Sequence, residues 1–296
     1  MFEEAQLYSP VTRDTEGGAV VHLDAGHPGA TDPVYRERRN RIATFAMDWT
    51  DGEPIPHVEY TAEEHDVWRV VCAELHRLHE TLACRCYLEG KERLRLPEER
   101  IPQLDEVNAL LTPLTGFRYV PAAGLVPLLQ FYGSLADGIF HSTQYVRHHS
   151  VPLYTPEPDV LHEVVGHGNC LANDRFAALY RAAGEAARRV TTKEHLEFVS
   201  KVFWFSLEFG VLREDGVVRT YGAGLLSSFG EIQQIERAEL HPLEIARMGV
   251  QTYDITHYQP LLFCAESFTE VEDVVGGFFA LADDESVERL LAVKVS

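Results

Sequence analysis

The sequence predicts a mostly α-helical fold with minor β-structure, built as one domain. Apolar residues recur at intervals of three and four over much of the chain, and capping signals precede several of these stretches. Strand-like segments are few and do not alternate with helices, which argues against an α/β fold. With 296 residues, of which 45% are hydrophobic, the chain can form one large core.

The first predicted helix follows a stretch without periodicity. Residues 1–31 mix Gly, Pro, Thr and Asp, so we expect a flexible N-terminal arm there. Asp32 is a suitable N-cap, and Pro33 suits the first helical position. The helix then carries an apolar stripe at Val34, Ile42, Phe45 and Trp49. We therefore place the folded domain at residues 32–296.

The following elements are predicted from capping boxes and periodicity. Thr61 and Glu64 form a capping-box pattern, after which apolar residues continue at helical spacing as far as Leu82. Further helices are predicted at 103–112, 124–137, 174–189 and 192–213. The segment Glu214-Asp-Gly-Val-Val predicts a turn into a short strand that ends near Tyr221. Two more capping boxes begin at Ser228 and Ser267.

The composition excludes some classes of partner. Acidic residues outnumber basic ones by 46 to 26, which gives a formal net charge of −20. Nucleic acids and anionic membrane surfaces attract basic surfaces, so neither is an expected partner. The longest apolar stretch, 202–212, is interrupted by Glu208 and is too short to cross a bilayer.

The predicted compartment is the cytoplasm. The N-terminal Met-Phe-Glu-Glu-Ala lacks the basic and apolar regions of a signal peptide. The five cysteines are odd in number and include no C-x-x-C pair, which favours free thiols in a reducing compartment.

The segment from His162 to His167 is the most informative part of the chain. It resembles the zinc-binding signature H-E-x-x-H, in which histidines at i and i+4 lie on one helical face. Here the spacing is i, i+5, which places the rings about 140° apart on an α-helix instead of about 40°. Both can reach one metal if the helix ends near Gly166 and Gly168. The alternative is a pair of hydrogen-bonded core histidines.

Glu208 is the best candidate for a third metal ligand. It lies in an aromatic run, where an unpaired carboxylate would be costly to bury. The alternative is an acid on the polar face of a helix or one paired with arginine. Two histidines and one carboxylate form the facial triad of non-haem Fe(II) oxygenases, which leaves coordination positions open.

Arg147 is a candidate for binding a carboxylate. It lies in the polar stretch His141-Ser-Thr-Gln-Tyr-Val-Arg-His-His-Ser150, shortly before the two histidines. A planar guanidinium offers the two-pronged donor that the carboxylate of a free amino acid requires. The alternative is a surface salt bridge.

Several long motifs, in order along the chain, resemble the pterin-dependent aromatic amino acid hydroxylases. They are Thr143-Gln-Tyr-Val-Arg-His148, Tyr154-Thr-Pro-Glu-Pro-Asp-Val-Leu-His-Glu-Val-Val-Gly-His167, Phe205-Ser-Leu-Glu-Phe-Gly210 and Tyr221-Gly-Ala-Gly-Leu-Leu-Ser-Ser-Phe-Gly-Glu231. The resemblance covers nearly all of the chain after residue 31. It implies that the domain is a single catalytic domain of the aromatic amino acid hydroxylase type.

The resemblance also implies the cofactors and their residues. It makes His162, His167 and Glu208 the ligands of an Fe(II) ion, and it implies tetrahydrobiopterin or a related tetrahydropterin as cofactor and O₂ as co-substrate. The residues implied beside the pterin are Phe131, which would stack on it, Glu163, and Phe203 in place of a tyrosine.

The implied substrate is a free aromatic amino acid. Arg147, Thr155 and Ser227 would hold its carboxylate and amine end. Pro158 and Trp204 would line the ring pocket. Ile255 lies where tyrosine hydroxylases of the family carry an acid, which disfavours a substrate that already bears a hydroxyl.

The expected reaction is hydroxylation of L-phenylalanine to L-tyrosine. Hydroxylation of tryptophan, or of the meta position of phenylalanine, by the same machinery is the alternative. Two remote alternatives are a zinc hydrolase with Glu163 as base and a non-catalytic amino acid-binding protein. Family members usually carry Val-Pro after the second histidine, whereas this chain has Gly168-Asn169-Cys170. Because no heptad-bearing helix closes the sequence, we expect a monomer or weak dimer.

Overall fold

A computed structural model of the protein describes residues 9–255 and 257–293. Helices dominate it, as predicted. The α-helices are α1 (Pro33–Asp48), α2 (Ala62–Leu82), α3 (Arg85–Leu94), α4 (Leu104–Thr115), α5 (Leu128–Ala136), α6 (Asn169–Leu171), α7 (Asp174–Arg189), α8 (Lys193–Phe203), α9 (Ala223–Ser227), α10 (Phe229–Ile232), α11 (Ile245–Met248), α12 (Phe268–Glu270), α13 (Gly277–Leu281) and α14 (Asp284–Leu291). Three π-helical segments are continuous with these helices, namely π1 (His162–Gly168), π2 (Trp204–Glu208) and π3 (Val271–Gly276).

The β-structure is confined to small sheets. Its strands are β1 (Val11–Arg13), β2 (Ala19–Val21), β3 (Arg118–Pro121), β4 (Ile139–Ser142), β5 (Val211–Glu214), β6 (Val217–Thr220), β7 (Glu239–Pro242) and β8 (Leu261–Ala265). Strands β1 and β2 pair antiparallel, β3 and β4 pair parallel, and the largest sheet has the order β6-β5-β8-β7. The predicted turn between β5 and β6 is confirmed, since Asp215 and Gly216 both have positive φ, as a tight hairpin turn requires.

The capping signals of the two first long helices are confirmed. The side chain of Asp32 accepts hydrogen bonds from the backbone N–H groups of Val34 and Tyr35, which begins α1. Thr61 and Glu64 form the predicted capping box at the start of α2. The helix predicted at 174–189 matches α7 in both bounds. Each cap satisfies backbone donors that the first helical turn leaves free.

The segment predicted as a flexible arm, residues 1–31, contains regular structure in the part that the structure describes. Strands β1 and β2 form a hairpin that is hydrogen-bonded to α1. The backbone N–H of Ala19 donates to Thr44 and that of Val21 donates to Asn40, both at 2.8 Å, and the two residues pack against Ala43. Strands of three residues are too short to show an alternating pattern. Residues 1–8 lie outside the described residues.

The helix predicted at 192–213 is too long. Helix α8 passes into π2, which ends at Glu208, and the chain then continues as strand β5. The prediction missed α3, which is only ten residues long, and the short strands that pair in parallel. Across the described residues, no helix is both long and apolar enough to cross a membrane. The five cysteines are free, as predicted, and all five are also buried.

Helices α5 and α7 pack very closely, which fixes one wall of the site described below. A Cβ atom at Gly184 of α7 would lie 2.3 Å from the backbone nitrogen of Ala136 and 2.7 Å from the carbonyl oxygen of Tyr132. Since these are backbone atoms, Gly184→Ala can be accommodated only if the helices separate. We expect it to lower the free energy of unfolding by about 1–3 kcal/mol, measured by chemical denaturation.

A matched control is Gly277→Ala in α13, where nothing lies within 4 Å of the added Cβ. That variant should have the stability of the wild-type protein or slightly more. If both variants were equally stable, the tight contact between α5 and α7 would not hold in solution.

Candidate active site

His162 and His167 meet on segment π1. Their Nε2 atoms are 3.0 Å apart, and the two rings are perpendicular. We predicted that the helix would end near Gly166 to allow this, but it continues into α6 without a break. The physical reason is the π-helix itself, whose i→i+5 hydrogen bonds widen the turn and bring residues five apart onto one face.

Glu208, at the end of segment π2, completes a compact group. Its Oε1 lies 3.1 Å from Nε2 of His167, and its Oε2 lies 3.9 Å from Nε2 of His162. Three ligand atoms bound at about 2.1 Å and at right angles to one another would be separated by about 3 Å. The two histidines and Glu208 can therefore hold one divalent ion on a single face.

Glu163 places a second carboxylate beside the histidines, with ligand atoms of His162, Glu163 and His167 within 4.8 Å of one another. The two acids differ in their charge state. Burial raises the pKa of Glu163 well above its usual range, and the charge of Glu208 adds to this effect. Burial also opposes the charge of Glu208, but His167 and His162 outweigh it and lower the pKa of Glu208. Glu208 is therefore the better anionic ligand.

Hydrogen bonds orient both imidazoles. Ser227 lies with its Oγ 2.8 Å from Nδ1 of His162, and its hydroxyl donates to the carbonyl oxygen of Ala223. The hydroxyl thus accepts from the Nδ1–H of His162, which leaves Nε2 with its lone pair. Nδ1 of His167 lies 2.7 Å from the hydroxyl of Tyr180. Burial lowers the pKa of His162 to about 4, so this ring is neutral, as a metal ligand must be.

A cavity opens beside these three residues, and its walls include most of the residues predicted for the site. The predicted residues that line it are Phe131, Arg147, Thr155, Pro158, His162, Glu163, His167, Trp204, Glu208, Ser227 and Ile255. Segments that are distant in sequence thus meet in one concave place, where aromatic and apolar side chains lie beside polar and charged ones. Small-molecule sites combine these two kinds of surface.

Phe203 is the one predicted site residue outside the cavity lining. Its side chain is fully buried, and its ring contacts those of Tyr132 and Tyr180, with centroids 5.1 Å and 5.4 Å away. Phe203 precedes Trp204 at the junction of α8 and π2, so it faces the helical core when Trp204 faces the cavity. The structure therefore does not bring Phe203 to the cavity with the other predicted site residues.

Arg147 is held by a residue that the sequence analysis missed. Asp159 accepts from Nε of Arg147 at 2.9 Å and from Nη2 at 2.8 Å, and both side chains are buried. Asp159 also accepts from the backbone N–H of His162 at 3.2 Å. The surface salt bridge considered for Arg147 is thus excluded. The signal available in the sequence was the position of Asp159, an acid three residues before the candidate metal ligand His162.

Comparison with known proteins identifies the family. A profile described as "Biopterin-dependent aromatic amino acid hydroxylase" matches residues 16–288. The chain belongs to this family. The predicted fold class, the enzymatic nature of the protein and the dependence on biopterin are thereby confirmed.

Individual relatives refine this result. A phenylalanine 3-hydroxylase from Streptomyces coeruleorubidus is 50% identical over 269 residues, which is 91% of this chain and 96% of that protein. A phenylalanine-4-hydroxylase from Bos taurus is 43% identical over 88% of this chain, and the chain spans only 59% of its length. The structure of Chromobacterium violaceum phenylalanine hydroxylase with iron(III) and 7,8-dihydrobiopterin matches with a TM-score of 0.69 and 30% identity, covering 75% of this chain and 82% of that chain.

In this hydroxylase a second buried ion pair supports the segment that carries Thr155 and Pro158. Glu157 accepts from Arg39 of α1 at 2.7 Å and lies 3.4 Å from Nε2 of His27. The hydroxyl of Thr155 donates to the carbonyl oxygen of Glu157. This segment is therefore tied to the N-terminal part of the chain.

Trp204 forms an aromatic wall of the cavity. Its ring is stacked on that of Tyr253, with centroids 4.5 Å apart, and lies against Phe209 at 4.3 Å. These two ring contacts restrict rotation of the indole. Its indole N–H is buried and has no hydrogen-bond partner among the described residues. Trp204 thus offers the cavity a fixed, largely apolar surface.

Proposed function

We propose that this chain is an iron- and tetrahydropterin-dependent hydroxylase of L-phenylalanine, with His162, His167 and Glu208 as the iron ligands. The observation that carries the proposal is the convergence of the two imidazole nitrogens, 3.0 Å apart, with the carboxylate of Glu208, whose oxygens lie 3.1 Å from His167 and 3.9 Å from His162, beside a largely apolar cavity. When bound, the ferrous ion and the reduced pterin supply the electrons that activate O₂. The chain itself binds and orients the substrate and the cofactors, and it excludes water from the site.

The pterin is proposed to stack on Phe131. This ring is buried except toward the cavity, and edge contacts with Tyr132 and Phe140 fix its orientation, with centroids at 5.2 Å and 5.5 Å. A flat, electron-rich cofactor is well matched by a fixed aromatic face. Glu163, whose burial favours the neutral form, can donate a hydrogen bond to the pterin.

The amino acid is proposed to lie with its backbone end at Arg147, Thr155 and Ser227 and its ring between Pro158 and Trp204. Ile255 offers no hydrogen bond to a phenol, so tyrosine would lose about 1–3 kcal/mol by burying its hydroxyl unpaired. The fixed Trp204 occupies space that an indole substrate would require. Phenylalanine avoids both penalties.

We propose the meta position of the ring as the site of hydroxylation. The sequence alone predicts the para position, but the Streptomyces coeruleorubidus relative, a phenylalanine 3-hydroxylase, is more similar to this chain than the bovine 4-hydroxylase, at 50% against 43% identity. Para hydroxylation is the second candidate, and the bovine relative supports it.

Competition of phenylalanine, tyrosine and tryptophan in one reaction tests this function. With ferrous iron and tetrahydrobiopterin, we expect phenylalanine to be consumed first, by a factor of about 5 to 150 over tyrosine, and meta-tyrosine to be the main product by chromatography. Omission of the pterin should abolish the reaction.

Other outcomes identify what would have to change. Formation of para-tyrosine would overturn only the ring position, and hydroxytryptophan would overturn the substrate. Activity of the protein with zinc in place of iron, and without the pterin, would support the zinc hydrolase instead. Binding of amino acids without oxygen uptake would indicate a non-catalytic binding protein.

A further inference from the structure

Glu231 is a buried carboxylate of the cavity that the proposed chemistry does not yet use. It lies in α10, four residues after Ser227, and α9 packs against π1 so that Ser227 contacts His162. Only 9% of Glu231 is exposed, and it lines the cavity together with Ser228 and Tyr258. The carboxylate is thus built into the site and does not belong to the outer surface.

Glu231 differs from Asp159 and Glu157, two other buried acids at the site, in having no cation beside it. Asp159 is paired with Arg147, and Glu157 is paired with Arg39. For Glu231 the hydrogen bond that the described residues provide is the backbone N–H of Gln259, 2.7 Å from Oε1, and no lysine, arginine or histidine among them forms an ion pair with it.

This isolation is costly for the free protein. Burying a carboxylate without a positive partner is unfavourable, so the group shifts toward its neutral form. Burial accordingly raises the pKa of Glu231 to about 7, and the hydrogen bond from Gln259 offsets this only in part. A positively charged ligand group in the cavity would supply the missing partner.

We infer that Glu231 binds the α-ammonium group of the amino acid substrate. The inference rests on the proposed function, in which the substrate carboxylate lies at Arg147. A zwitterion requires an anion as well as a cation, and the carboxylate of Asp159 already balances the charge of Arg147. Thr155 and Ser227 are uncharged, and Glu208 lies against the two histidines. Glu231 is the remaining carboxylate with an unpaired charge away from the proposed metal.

The competing explanation is that Glu231 only holds the segment around Gln259 in place. Glu231→Gln separates the two roles, because the amide carbonyl can still accept from the N–H of Gln259 while the negative charge is lost. A purely structural role would leave ligand recognition unchanged or weaken all ligands together. An ammonium-binding role affects only ligands that carry an ammonium group.

The experiment compares ligands that differ only in that group. L-Phenylalanine and 3-phenylpropanoate are titrated calorimetrically into the full chain loaded with ferrous iron and 7,8-dihydrobiopterin without oxygen. We expect Glu231→Gln to weaken phenylalanine binding by about 10- to 100-fold, the range of a buried charge-assisted hydrogen bond. Binding of 3-phenylpropanoate should not weaken. A control, Glu239→Gln, alters an exposed carboxylate of β7 and should affect neither ligand.

Equal weakening of both ligands, or no change for phenylalanine, would overturn the inference. L-Tryptophan and indole-3-propanoate are titrated in parallel, so that a protein that binds tryptophan instead of phenylalanine is detected. A wild-type protein that binds neither amino acid would overturn the proposed function and the inference with it. If the wild-type protein binds the amino acid and the Glu231→Gln variant binds it equally well, only the inference about Glu231 is overturned.

Discussion

Glu208→Ala, His162→Ala and His167→Ala are each expected to abolish hydroxylation and to remove most of the bound iron. Three protein atoms hold the proposed ion, and the loss of one leaves a weak and misoriented site. Loss of an outer hydrogen-bond partner of a ligand already costs about 10- to 100-fold in metal affinity, so loss of a ligand should cost more. Metal analysis of the purified protein and oxygen uptake measure the two effects.

Two further variants make this prediction specific. Glu163→Gln should keep its iron, because the structure places Glu208 closer to the two imidazole nitrogens and keeps it ionised. Glu285→Ala removes an exposed carboxylate of α14, whose side chain is 81% exposed, and should change neither iron content nor turnover. Full iron and turnover in Glu208→Ala would show that the third ligand is another residue.

Predictions of the fold succeeded where the signal was local. The N-cap at Asp32 and the capping box at Thr61 depend on neighbouring residues alone, and both were found. The segments π1 and π2 have no comparable signal, because a π-helix is stabilised by the contacts it makes possible. In the sequence, the i, i+5 spacing of the two histidines was the only sign of segment π1. The hairpin of β1 and β2 was missed because its side-chain partners lie in α1.

The residues predicted for the site mostly line one cavity, whereas the groups that hold them from behind were not predicted. The resemblance to the family indicated Arg147, whereas Asp159, which holds its guanidinium, became evident only in three dimensions. Arg39 and Glu157 are 118 positions apart in sequence, so no local pattern links them. Phe203 lies outside the cavity because its side chain faces the helical core at the junction of α8 with π2, and the sequence does not show on which side of the helix it lies.

The ion pair of Arg147 and Asp159 leads to the second large expected effect. Arg147→Lys keeps the positive charge but loses the two-pronged contact, since lysine cannot reproduce the planar guanidinium. We expect the KM for phenylalanine to rise by about 10- to 100-fold, with the KM for the pterin much less changed. Steady-state kinetics with each substrate varied in turn measure both values. An equal rise for both would indicate a structural role for Arg147.

Asp159→Ala should be more damaging to stability, because it leaves the guanidinium of Arg147 buried without a partner. Breaking a buried ion pair in this way costs about 3–5 kcal/mol, whereas replacing both partners by apolar residues is often nearly neutral. The double variant Arg147→Met with Asp159→Leu should therefore regain most of the stability lost in Asp159→Ala, as measured by chemical denaturation. Its affinity for phenylalanine should stay lost, since no guanidinium remains. Recovery of affinity together with stability would show that Arg147 acts only through the fold.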